Sequence, residues 1–154
     1  MIEIKAPGDY SAYSDKKAVF LAGSIEMGKA ERWQDDVAEK LKDEDILILN
    51  PRRSHWNAKL EQSIDNAEFR EQVEWELKAL ERADQVLMYF APDTMAPITL
   101  LEFGLWAKSA PEKLVVCCPD GYWRKGNIDV TSKMYGVCQV GSLDELVKGL
   151  TVNL

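Results

Sequence analysis

Histidine is nearly absent from this 154-residue chain: His55 stands alone, in a loop. It cannot build a zinc site with Cys117, Cys118 and Cys138, whose spacing matches no metal motif. Three thiols cannot close a disulfide set either, so they read as reduced core residues. Long apolar runs are also missing. No stretch approaches 18 uninterrupted apolar residues and the opening MIEIKAPGDY holds no signal-like apolar segment, so the expectation is a cytoplasmic protein with no membrane contact. Positive charge is in deficit, 19 Lys and Arg against 26 Asp and Glu, for a formal net charge of −7. That surface repels phosphate polymers and argues against nucleic acid as a partner, though not against one nucleoside in a pocket. Nine Gly and six Pro are too few for a disordered or fibrous chain, and a 46% hydrophobic content is enough for one core. A single domain over residues 1–154 follows.

Residues 1–16 are polar and turn-rich, an extended lead-in. The run Ala18-Val19-Phe20-Leu21-Ala22 then ends at Gly23, which suits a strand buried on both faces. Ala30, Trp33, Val37 and Leu41 recur at helical spacing, and Ile46 to Leu49 is a second buried strand stopped by Asn50-Pro51. After a long polar connection, Arg52 to Asn66, a helix is predicted over 68–82 with Phe69, Val73, Leu77 and Leu80 inward. Gln85 to Phe90 is the third strand, and Pro97 opens a helix running to about Ala107. Leu114 to Cys118 and Val137 to Val140 complete five strands, and Ser142-Leu-Asp-Glu reads as a capping box for a last helix. Short buried strands alternating with helices predict an α/β fold: a small doubly wound, flavodoxin-like five-stranded parallel sheet with helices on both faces. Ligands of such sheets sit beyond the carboxyl ends of the strands, here the loops after Ala22, Leu49, Phe90 and Cys118.

Against that frame some carboxylates are out of place. The helix around Ile98 to Ala107 is apolar on every side, and Glu102 is its only charge. Burying an unpaired carboxylate costs several kcal/mol unless it is bonded or protonated, so Glu102 is either a structural acid tied to its surroundings or a functional one. Glu76 lies three residues after Val73 and four before Leu80, on the predicted inner face, while Glu71, Glu74 and Glu81 point outward. At ~1.5 Å per residue it sits ~12 Å back from Asp84, roughly level with the carboxyl end of the third strand. Asp93 comes from the loop at that end. Glu76, Asp93 and Glu102 are thus expected to converge, as catalytic groups or as an ion-pair cluster with Arg52 and Arg53. Asp84 opens a strand and belongs to the opposite edge as a turn or capping residue.

Phe20-Leu-Ala-Gly-Ser-Ile25, Asn50-Pro-Arg-Arg53, Gln72-Val-Glu-Trp-Glu-Leu77 and Ile98-Thr-Leu-Leu-Glu-Phe-Gly104 together resemble the nucleoside 2-deoxyribosyltransferase-like family, over roughly residues 17–136. A branch of deoxynucleoside 5′-phosphate N-hydrolases shares the layout. The resemblance implies that Glu102 attacks C1′ of deoxyribose and expels the base. The transition state is oxocarbenium-like, and a carboxylate can both stabilise it and collapse onto it as a glycosyl ester. A second base or water then attacks, with retention. A proton must reach the leaving base, and Glu76 stands where the family places an aspartate. The resemblance further implies that Gly23, Ser24 and Ile25 form a sugar or phosphate loop, that Asn50 and Arg52 lie in the substrate site, and that no cofactor or metal is needed. Ser24 has a second reading, as the cap of the following helix.

The phosphate-using branch carries a basic residue after this turn. Glu26 stands here and would repel a 5′-phosphate, which favours unphosphorylated nucleosides. Where family members often place a tyrosine to hold the catalytic glutamate, this chain has Val19 and Phe20, with Tyr89 as a substitute. Asn127 matches, within a one-residue gap, a family asparagine that enters the neighbouring subunit's pocket. That implies a homo-oligomer, dimer or higher, with a shared active site; otherwise Asn127 is a turn residue after Gly126. Trp75 falls outside the predicted inner stripe and suits an interface, and Trp56 suits a cover over the base. The expected partners are a small nucleoside or nucleotide and a free base. Two other functions stay open: an N-hydrolase of modified nucleotides or N-ribosides, and a non-catalytic nucleotide-binding module.

Overall fold

The computed structural model describes residues 1–54 and 60–151. The readings of His55 as a loop histidine and of Trp56 as a base cover lie outside these residues. The lead-in proves to contain a strand. Ile2 and Ile4 alternate with Glu3 and Lys5, and β1 (Ile2–Lys5) pairs with β3 (Ile46–Asn50) as an edge strand. Its polar half had concealed it: an edge strand covered on one face needs only every second residue apolar.

The sheet therefore has six strands, not five. β2 (Lys17–Gly23), β4 (Gln85–Tyr89), β5 (Leu114–Cys117) and β6 (Cys138–Val140) join β1 and β3 in the order β1-β3-β2-β4-β5-β6, all parallel. Without β1 this is the flavodoxin-like order. The strands' period of two divides their side chains between two cores. Phe20, Leu47, Leu49, Met88 and Val116 face α2 (Ala67–Arg82), α3 (Pro97–Ser109) and α4 (Lys125–Tyr135). Leu21, Ile48, Leu87 and Val115 face α1 (Trp33–Lys40) and α5 (Leu143–Thr151). The chain is doubly wound, with its topological switch between β2 and β4.

Helix boundaries follow side-chain chemistry. Asn66 caps α2 by accepting from Phe69 N, Pro97 opens α3, and Ser142 Oγ accepts from Glu145 N at the start of α5. Asp84 works at the opposite edge, as expected, accepting from Ala18 N at 2.8 Å.

Several expectations are corrected. Cys117 and Cys118 are buried, but Cys138 is exposed on the edge strand β6. Helix α4, absent from the expected elements, buries only Ile128 and Ser132 and so lacks a buried apolar stripe. The buried stripe of α2 is Gln72, Trp75, Ala79 and Leu80, whereas Leu77 is exposed. Trp75 is therefore a core residue rather than an interface one. It packs on Tyr10 and Phe20 and donates its indole N–H to Gly8 O at 2.8 Å. Gln72 is polar and Ala79 small, and so a stripe one step around the helix is richer in large apolar residues. No helix among the described residues is long and apolar enough to cross a membrane.

Candidate active site

The carboxyl ends of β2 and β4 meet at a tight junction. Gly23 is required there by close approach: a Cβ on it would lie 2.4 Å from Tyr89 O and 2.6 Å from the Trp33 ring. Ser24 follows, fully buried. Its N–H donates to Tyr89 O at 3.0 Å, and its hydroxyl accepts from Ala91 N at 3.0 Å. Thr94 donates its own hydroxyl to Ala91 O, so Ser24 is the donor in the 2.7 Å Ser24–Thr94 contact. The Ser24 side chain thus stitches the loop after β2 to the loop after β4, and it does not cap the next helix. Ile25 is half-buried, and its carbonyl accepts from Gly28 N and Ala30 N.

Glu26, in a left-handed conformation at φ 49°, continues that stitching. Its carboxylate accepts from Met95 N at 3.0 Å and Ala96 N at 2.7 Å. A negative charge thereby sits on the amino end of α3, where the helix dipole favours it.

One turn further along α3, Glu102 is buried at 6% exposure. Among the described residues no hydrogen bond or ion pair holds its carboxyl group. Burial, and then the charge of Glu76, push it up to about 8. The two acids are neighbours electrostatically although they come from different helices. Glu76 is raised by burial as well, but an amide bond from Gln72 and the Arg53 guanidinium pull the other way. The arrangement is two adjacent carboxyl groups of which one, Glu76, has support for its anion. Both acids are held above the ordinary glutamate range, and the support at Glu76 favours its ionisation over that of Glu102.

The family model for nucleoside 2-deoxyribosyltransferase-like proteins matches residues 16–122, which contain β2 to β5 and both glutamates. The chain belongs to the nucleoside 2-deoxyribosyltransferase-like family. A search of curated proteins found no match.

The family match places the remaining candidates in context. Asp93 lies in the loop after β4, exposed and left-handed at φ 59°. Its charge is not among those acting on Glu76 or Glu102, so the structure brings together two of the three expected acids. Asn50 is fully buried at the end of β3, donating to Glu3 and accepting from Arg52 N. Arg52 is nearly as buried. Its guanidinium donates to Gly28 O, Ala30 O, Glu31 O and Gln34 Oε1, at 2.7–3.2 Å. Both residues fasten loops, Arg52 bracing the segment that follows Glu26.

Tyr89 does not substitute for the family tyrosine. It falls on the α1 side of β4, stacked edge-on with Trp33, and its hydroxyl donates to Glu31 at 2.7 Å. Glu102 lies on the other side of the sheet. Asn127 is exposed in the first turn of α4, beyond the end of the family match. A cleft of about 610 Å³ between α2 and the segment after β1 is lined by Pro7, Tyr10 and Trp75, and touches neither Glu76 nor Glu102. Of the two arginines expected to pair with these acids, Arg53 acts on Glu76 and Arg52 does not, whereas Gln72 as a neighbour of Glu76 was missed. The signal was present in Gln72, one helical turn before Glu76, where i and i+4 side chains meet.

Proposed function

We propose that this protein cleaves the N-glycosidic bond of 2′-deoxyribonucleosides and passes the deoxyribosyl group to another base, or to water, through an ester on Glu102. The observation that carries this reading is a buried carboxyl group without an ion pair among the described residues, beside a second carboxyl, in a member of this family. The shared proton balances the chemistry. It passes from Glu102 to Glu76 and on to a ring nitrogen of the base. The C1′–N bond breaks with its electron pair going to that nitrogen, and the Glu102 carboxylate bonds to C1′. In the second half, a new base or water attacks C1′, the ester oxygen leaves as carboxylate, and the proton of the attacking group returns to Glu76. Neither a metal nor a redox group enters this scheme.

Glu26 supports the choice of an unphosphorylated nucleoside. A carboxylate already occupies the amide groups at the head of α3, and its charge opposes a 5′-phosphate nearby.

Incubating the protein with a deoxynucleoside and a different free base, followed by chromatography, tests the reading. The exchanged nucleoside is expected, and free base alone would assign a hydrolase. No change in any deoxynucleoside tried would overturn the proposal, and equal turnover of ribonucleosides would overturn the 2′-deoxy preference.

A second copy of the chain is proposed as its partner. Ile98, Leu101 and Leu105 line the outer side of α3 at 50–59% exposure, next to Val130 and Met134 on α4. Asn127 shares the spacing of Val130 and Met134, three and four residues apart, and so the same face of α4. An apolar face built from two adjacent helices needs a cover, and the family resemblance sends Asn127 to a neighbouring subunit. Leu101→Lys together with Val130→Lys is expected to convert an oligomer to monomer in sedimentation velocity and to cut turnover. A wild-type monomer at micromolar concentration would refute the shared site.

A further inference from the structure

The scheme above leaves two neighbours of Glu76 without a role. Gln72 is buried one turn before it on α2. The Gln72 amide nitrogen donates to the Glu76 carboxylate and to Pro51 O, at 3.3 Å for the latter, while its amide oxygen accepts from Arg53 Nε. Those partners fix the orientation of the amide. Turned over, it would set its NH2 against the guanidinium and its oxygen against a carboxylate.

Arg53 comes from the loop after β3 and also reaches Glu68 at 3.3 Å. One of its terminal nitrogens, Nη2, is buried and has no partner among the described residues. A guanidinium kept in that half-satisfied state costs stability, which is a poor use of an arginine as a brace. As a source of positive charge behind Glu76 the same placement is useful. The charged groups that face Glu76 are Arg53 from this loop and Glu102 from α3, with the Gln72 amide on its own helix. Among the described residues nothing equivalent supports Glu102.

We propose that Arg53 and Gln72 are positioning residues that hold Glu76 as the anion of the pair, so that the pair's proton rests on Glu102. Their part in turnover rests on the N-glycosidic reading. An acid kept weak in its hold on the proton gives it up readily to a departing base, so the strap makes Glu76 the better donor when the proton crosses to it.

Side-chain NMR of the full chain with 13C-labelled glutamate, assigned with Glu76→Gln and Glu102→Gln, measures the placement without any substrate. Glu76 is expected to ionise at lower pH than Glu102. Arg53→Met and Gln72→Met are each expected to raise the Glu76 midpoint by about one pH unit, and Arg53→Lys to restore most of it. The acid limb of the kcat/KM profile for a deoxynucleoside should move by the same amount. A structural brace would lower Tm and kcat and move neither. The proposal is overturned if Glu102 ionises first, or if both methionine variants leave the Glu76 midpoint in place. Should Gln72→Met fail to fold, Arg53→Met alone decides. If the wild type turns over no deoxynucleoside, the functional reading fails while the titration still judges this one.

Discussion

Glu102→Gln is expected to lower deoxynucleoside turnover by about 10³-fold or more while the protein stays folded. An amide of the same size fills the same space, but it cannot form a glycosyl ester at C1′. The fold should tolerate the change because Glu102 is protonated near neutral pH and the replacement is neutral too. Stability at pH 7 should therefore stay within about 1 kcal/mol of wild type. In the proposed scheme Glu76→Gln removes the proton donor and not the nucleophile, so a smaller loss is expected, about 10²–10⁴-fold. Steady-state kinetics on both variants checks the ranking, and intact-mass detection of a 2-fluoro sugar adduct confined to proteins that retain Glu102 checks the attacking residue. Most activity surviving in Glu102→Gln would remove Glu102 from the chemistry.

Much of this architecture is visible in the residues. Strands β2 to β5 are continuous apolar runs because both faces of a parallel sheet are covered, and such runs need no periodicity analysis. The acid in α3 stands out for the same reason: it is the one charge between Ile98 and Ala107, a stretch with no polar side. What escaped was whatever depends on partners distant in sequence. β1 has two isoleucines in four residues and becomes a strand only because β3 offers an edge. The true inner face of α2 includes Gln72, whose polar side chain is buried because Pro51, Arg53 and Glu76 converge on it. Arg52 and Asn50 looked like ligand groups from their place after a strand, and their bonds to loop carbonyls and Glu3 emerge only from the fold. Ser24 is the subtler case. Its position at the switch point was legible, but the hydroxyl chain through Thr94 to Ala91 was not.

Folding stability is expected to fall as pH rises from about 5 to about 8, and Glu102 is the cause. In the unfolded chain this group titrates near 4.5, whereas in the folded chain burial and Glu76 carry it to about 8. Between those values the folded state binds a proton that the unfolded state has already lost. Each pH unit there therefore disfavours the native state, by up to about 1.4 kcal/mol, and the loss levels off above the folded value. The total is on the order of a few kcal/mol, a large part of a small domain's stability. Asp35 and Asp129, held below their ordinary 3.8 by Arg32 and Lys125, act in the opposite sense and only in more acidic solution, where their contribution disappears. Urea unfolding of wild type and Glu102→Gln at pH 5 and pH 8.5 separates these effects. The wild type should lose about 2 kcal/mol or more between the two, and the variant should lose much less. Parallel profiles would mean that Glu102 ionises as an ordinary surface acid does. The expected result ties the cost to the proposed chemistry, in which the ionised form that the fold tolerates poorly is the one that attacks C1′. In that scheme a cationic, oxocarbenium-like sugar beside the pair supplies the positive charge that the free protein withholds from Glu102.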